Sequence, residues 1–194
     1  MIDESLRAEL VAMRAEDTRV RNERVASGEL GGHYVPRMEE VHRRNAARLR
    51  ELIAIHGWPD EEIAGKDGAE AAWLIVQHAI GEPDFMREAL GLMRACGSRV
   101  PAWHTAYLED RIAMYEGRLQ RFGTQWIDDP ADGRARPWKL EDPERVDDWR
   151  AQVGLGPLHP IPEPGPELDT GLKRELEENQ SWWEQWLVSK GWRR

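Results

Sequence analysis

Asp17, His42, Asn45, Gln77, His78, Asp110 and Arg111 fall, at helical spacing, on stripes that are otherwise apolar. A polar side chain drawn into a core must find a partner or cost roughly 1–3 kcal/mol, so several on neighbouring stripes are expected to meet one another. Two imidazoles with carboxylates to orient them make an acid/base pair. The expected chemistry is proton transfer, with His42 and His78 as acid and base and Asp17 and Asp110 orienting them. Arg111 follows Asp110 directly, about 100° further round the same helix, so it is free to meet another element. A buried guanidinium needs an anion, so Arg111 either balances Asp17 or holds a substrate carboxylate or phosphate. Arg21, one turn after Asp17, pairs with it or shares that anion-binding role, and Asn45, Gln77, Gln120 and Gln125 offer amides to a carbonyl or amide group. The alternative is a satisfied polar network that only fixes helix register.

Metal chemistry has a weaker signal. Glu39-x-x-His42 matches half of the paired Glu-x-x-His pattern of carboxylate di-iron bundles, and Glu16, Asp17 or Asp110 could add ligands, but no second Glu-x-x-His follows. No cofactor is expected, and a mononuclear ion, if one binds, would use His42 and His78. His33, His56, His104 and His159 are placed at helix edges or in loops, with ordinary surface roles. The chain has no phosphate-cradling glycine loop, no G-x-S-x-G and no H-E-x-x-H.

The elements that must position these residues are helices. Leu6, Leu10, Met13 and Val20 recur at steps of three and four from Asp3 to about Ala26, and Asp17 fills the gap in that rhythm. After a break at Gly28 to Gly32, Pro36 opens a second helix to Ile55, with Met38, Val41, His42, Asn45, Leu49 and Leu52 inward and Gly57 and Pro59 ending it. Ala69 to Ile80 is apolar nearly all round and predicts a covered central helix, with little water at Gln77 and His78. A fourth helix starts at Pro83, buries Phe85, Met86, Ala89, Leu90 and Met93, and stops at Gly97. Pro101 starts the fifth, with Gly117 as its left-handed cap.

Beyond Arg118 the helical period is lost. Asp128, Asp129, Pro130 and Gly133 could join two short strands, Thr124 to Ile127 and Ala135 to Leu140. Asp142 and Pro143 read as the cap and first turn of a short helix ending near Gly154. The stretch GLGPLHPIPEPGP is a stiff, extended linker to a last helix, about Thr170 to Ser189. That helix lines up Leu172, Leu176, Trp183, Trp186 and Leu187, with Trp182 and Trp192 beside them, an apolar face that must be covered by the same chain or by a homodimer partner. A membrane surface is disfavoured because the helix has more acids than bases.

Composition narrows the classes further. With 194 residues and 40% hydrophobic content the chain can bury one good core, predicting one mainly α domain. The expected division is a helical bundle of about five helices within residues 1–153, a linker over 154–168 and the Trp-rich helix over 169–194. Against 27 Lys and Arg stand 36 Asp and Glu, and a net charge of −9 argues against nucleic acid as a partner. Arg43, Arg44, Arg48 and Arg50 alternate with apolar residues and read as a solvated helix face. Cys96 is the single cysteine, which excludes an intrachain disulfide and a thiolate metal cluster, and its place near a helix end reads as a buried structural thiol. No apolar run approaches the roughly 18 residues of a membrane span, and the charged N-terminus does not read as a signal peptide. A bacterial cytoplasm is the expected location.

Four blocks carry a family resemblance: LVAMRAEDTRVR, then EVHRRNAARLRELIAIHGWP, then DGAEAAWLIVQHA with its Pro-Asp-Phe sequel, then AYLEDRIAMYEGRLQRFGTQ. In that order, over roughly residues 6–127, they resemble a family of uncharacterised bacterial domains known only as a domain of unknown function. The family pattern emphasises positions matching Asp17, Arg21, His42, Asn45, Gly57, Trp58, Pro59, Gln77, His78, Asp110, Arg111, Gln120 and Gln125. It usually has Pro where Leu119 stands here and Tyr where Phe122 stands, so any role of that phenol is absent from this chain. The resemblance implies that the polar set belongs together and brings no activity with it; the linker and the Trp-rich helix lie outside it.

The reading favoured is a small acid/base enzyme without a covalent nucleophile. It would act on a small polar, anionic or amide-containing metabolite by hydrolysis, elimination or cyclisation. The alternative is a non-catalytic helical module that binds a small ligand or regulates.

Overall fold

The computed structural model describes residues 1–26 and 33–194, so the expected break at 28–32 lies outside the described residues. The chain groups into two compact units, Met1–Thr105 and Ala106–Arg194.

The first unit is helical. It comprises α1 (Glu4–Ala26), α2 (Pro36–His56), α3 (Glu61–His78), α4 (Pro83–Ala95), a single 3-10 turn (Gly97–Arg99) and the start of α5 (Ala102–Tyr115). Asp3 caps α1, its Oδ1 accepting the N–H groups of Ser5 and Leu6 at 3.0 Å each. Leu6, Leu10 and Val20 are buried as the spacing predicts, and Asp17 is buried among them. Pro36 sits in the first turn of α2, and Met38, Val41, His42, Asn45, Ala46, Leu49 and Leu52 form its buried face. Residue 57, with φ of 76°, is in the left-handed region that only glycine enters cheaply, and it ends α2. In α4 the five residues expected inward are the five that are buried.

The third helix departs from expectation. It starts at Glu61, not Ala69, and ends at His78, not Ile80. Asp60 caps it, accepting from the backbone of Glu62 and Ile63, while its second oxygen takes the Arg99 guanidinium at 2.5 Å. Gly65 kinks the helix with φ of 66°. Gly68 gives it proximity to α1: a Cβ there would lie 3.4 Å from the Arg7 backbone and 3.0 Å from Ala64 Cβ. Gly65 and Gly68 therefore bring α1 and α3 together.

The second unit takes the rest of α5, capped by Gly117 with φ of 74°. Strands β1 (Trp126–Asp128) and β2 (Ala135–Pro137) follow as an antiparallel pair, with Ile127 opposite Arg136. The hairpin is where the turn residues put it, though shorter. Asp142 accepts from the Glu144 backbone and closes a turn, and α6 begins only at Val146, ending at Gln152. Trp149 of α6 packs with Ala106 and Phe122. The Pro-rich segment has no regular structure, as expected of it, but it is pinned: Arg134 donates to the Glu163 carbonyl and Arg136 to that of Pro162. Asp169 caps α7 (Thr170–Ser189), whose Trp186 and Leu187 are buried. Trp192 is also buried, its ring 5.3 Å from that of Tyr115. No helix among the described residues is long and apolar enough to cross a membrane.

Candidate functional site

Three helices of the first unit deliver one titratable side chain each to a common point. Asp17 comes from α1, His42 from α2 and His78 from the last turn of α3. The His78 Nδ1 lies 2.7 Å from Asp17 Oδ2, and His42 Nε2 lies 3.3 Å from Asp17 Oδ1. The two imidazoles face each other at 5.0 Å between ring centres. Asp17 is 1% exposed and His42 7%, whereas the His78 side chain keeps a quarter of its surface in solvent. The expectation of little water thus holds for Gln77, which is buried, and less well for His78.

Tyr34, in the segment leading into α2, completes the chain of contacts, its hydroxyl 2.5 Å from His42 Nδ1. One proton arrangement satisfies these three contacts: Tyr34 donates to His42 Nδ1, His42 Nε2–H donates to Asp17, and His78 Nδ1–H donates to the other carboxylate oxygen. In a neutral His78 that tautomer leaves Nε2 as the basic nitrogen. Burial alone would push the Asp17 carboxyl up; the hydrogen bonds from His42 and His78, and their charge, outweigh it and hold the group well below the usual carboxylate range.

The other expected residues have other employment. Asn45 donates to the Met13 carbonyl at 3.3 Å and ties α2 to α1. Arg21 is exposed. Glu16, considered as a metal ligand, is paired with Arg44 at 2.6 Å. Asp110, Arg111, Gln120 and Gln125 belong to the second unit and form a network of their own. The Asp110 carboxylate accepts from the backbone N–H groups of Arg121, Phe122 and Thr124 and from the Thr124 hydroxyl. Burial pushes its pKa up, those four donors pull it down, and it ends above the ordinary value. Gln120 donates to the carbonyls of Gln125 and Trp138 and accepts the Gln125 N–H, stitching the loop to the hairpin. Arg111 donates to Gln125 Oε1 at 3.0 Å.

Two residues escaped the sequence reading. Tyr34 precedes the helix-opening Pro36 and so lies off every helical stripe; an aromatic residue just before a helix start was the only available signal. His104, expected at the surface, is 3% exposed because it stacks flat on Trp73, ring centres 4.4 Å apart, and burial lowers its pKa to about 4. Cys96 is only partly buried, and burial pushes its thiol up, away from the thiolate that a nucleophile needs.

Fold and site together define a helical protein with a buried carboxylate shared by two imidazoles. Residues 4–162 match the model of a family of unknown function, DUF6624, and the chain belongs to that family. No curated protein and no solved structure matches the chain.

Proposed function

We propose that the chain is a small acid/base enzyme in which His78 is the proton-transfer group and Asp17 its orienting carboxylate. The observation that carries this reading is the 2.7 Å contact between Asp17 and Nδ1 of His78, the histidine of the pair that keeps a quarter of its side chain in solvent. A buried, ionised carboxylate fixes the ring and stabilises the imidazolium that forms when Nε2 takes a proton. His42, almost fully buried between Tyr34 and Asp17, is a positioning residue that holds the carboxylate for His78. With no nucleophile in the cluster, His78 would deprotonate water for attack on a carbonyl or remove a proton next to one. The substrate would be small and polar, an anion or an amide, in the reducing interior of a bacterial cell.

The test is a screen of the full chain against small amides, lactams, lactones and β-substituted carboxylic acids, each repeated with His78→Ala. Turnover that vanishes in His78→Ala while the melting temperature is kept supports the reading. Turnover that survives the substitution, or a parent protein inert across all four substrate classes, overturns it.

A second reading rests on a separate observation. One donor atom from each of Asp17, His42 and His78 lies within 4.8 Å of the others, a spacing that two histidines and one carboxylate use to hold a divalent transition metal. Titration with Zn²⁺ by calorimetry separates the two: stoichiometric binding lost in His42→Ala favours a metal site, and absence of binding favours the proton-transfer cluster.

A further inference from the structure

A cavity of about 300 Å³ lies wholly within the second unit, between the C-terminal end of α5, the hairpin and α7. Its walls are mostly apolar and aromatic: Met114, Tyr115, Trp138, Leu176, Trp183 and Leu187. Three of these six belong to α7, beyond the residues that match the family, and complete a wall whose other three lie within the match. A volume of this size lies at the lower end for ligand sites and suits a single ring with a short arm.

Polar groups in the wall say what the arm should carry. The Asn179 Oδ1 is shielded from solvent and has no hydrogen-bond partner among the described residues, although Asn179 lines the cavity. A buried acceptor without a donor is costly, so the site favours a ligand that brings an N–H or O–H. Among the described lining residues the charged ones are Asp128, Glu184 and Arg193. Arg193 is consumed by the Glu184 carboxylate and by the backbone carbonyls of Tyr115 and Met114. Asp128 therefore leaves the charged residues of the described lining with one net negative charge, and Lys139 and Arg193 already lie over the ring of Trp138, an aromatic wall that attracts cations.

We infer that this cavity binds a small organic ammonium ion, an apolar ring or branched alkyl body with a protonated amine that donates to Asn179 Oδ1 and is balanced by Asp128. The site is separate from the Asp17 cluster and stands whether or not that cluster is catalytic.

Calorimetric titration of the full chain with 2-phenylethylamine at pH 7 tests it, with 3-phenylpropionate as the anionic counterpart of the same size. Saturable binding of the amine, at least tenfold tighter than of the acid, is expected. Asn179→Leu should weaken it about fivefold through the lost hydrogen bond. Leu176→Trp, which fills the cavity from a partly exposed helix position, should abolish it while the melting temperature is kept. If Asn179→Leu does not fold, Asp128→Asn, at an exposed strand end, should remove the preference for amine over acid. Equal binding of the two probes, no binding of the amine at millimolar concentration, or unchanged binding in Leu176→Trp would each overturn the proposal.

Discussion

Each unit contains a helix that carries a buried aspartate, and the two aspartates differ in what meets them. Asp17 receives two imidazoles, while Asp110 receives three backbone N–H groups and a hydroxyl. Burial raises both carboxyls, yet Asp17 ends well below the ordinary range, because the hydrogen bonds from its two imidazoles and, behind them, their charge outweigh burial, whereas the donors to Asp110 do not and it ends above the ordinary value. A carboxylate whose partners can titrate is equipped to orient a proton donor or acceptor. One whose partners are main-chain amides holds a loop in shape, here the turn from Arg121 to Thr124. The difference separates chemistry from architecture inside a polar set that helical spacing alone treats as one.

The largest effect expected is at Asp110. Replacing it with Ala leaves three amide N–H groups and a hydroxyl without their acceptor, and the summed cost is about 4 kcal/mol. Urea unfolding at pH 7 should show it as a large fall in midpoint. A loss under about 1 kcal/mol would mean that water replaces the carboxylate freely, and the contrast with Asp17 would collapse.

The stripes of α1, α2 and α4 were legible because each depends only on local spacing: Asp17 in the gap of the α1 rhythm, His42 and Asn45 on the inner face of α2, the five core residues of α4. The start of α3 was not. Gly65 and Gly68 mimic a break, and what they do, letting α1 approach, is visible only when Arg7 is seen against them. Nor could spacing separate Asp110 from Asp17, since three of the four donors to Asp110 are main-chain groups of a loop, identical in every residue type. The link between Tyr34 and His42 depends on how the chain enters α2, which a helical period does not describe.

His104 offers a third case, a buried titratable group against aromatic faces. Trp73 stacks on its ring, Trp103 meets it edge-on at 4.0 Å, and its Nε2 has no hydrogen-bond partner among the described residues. Burial depresses its pKa from 6.5 to about 4, so the unfolded chain takes up the proton first as pH falls. Its contribution is intact above pH 6.5 and is lost on the way down to about pH 4, at most about 3 kcal/mol. His104→Phe keeps an aromatic ring against Trp73 and removes the titration. Between pH 7.5 and 4.5 the variant should lose about 2–3 kcal/mol less stability than the parent in urea. Parallel losses in the two proteins would show that the folded state protonates His104 as readily as the unfolded chain does.

The smallest stability effects belong to the cluster expected to do chemistry. Asp17→Asn keeps one oxygen acceptor and loses the charge, which should cost about 2 kcal/mol at pH 7. Because the folded carboxyl is depressed, that stabilisation is fully present above the unfolded value of about 3.9 and is lost as pH falls through the folded value, so the gap between parent and variant should narrow below pH 4. His78→Ala should cost less again, under about 1 kcal/mol, because the ring is a quarter exposed and Asp17 still has His42. A residue whose loss barely moves the urea midpoint but removes proton transfer is held in place for its chemistry. If His78→Ala instead unfolds the first unit as severely as Asp110→Ala damages the protein, then the two aspartates do the same work, and both networks are architecture.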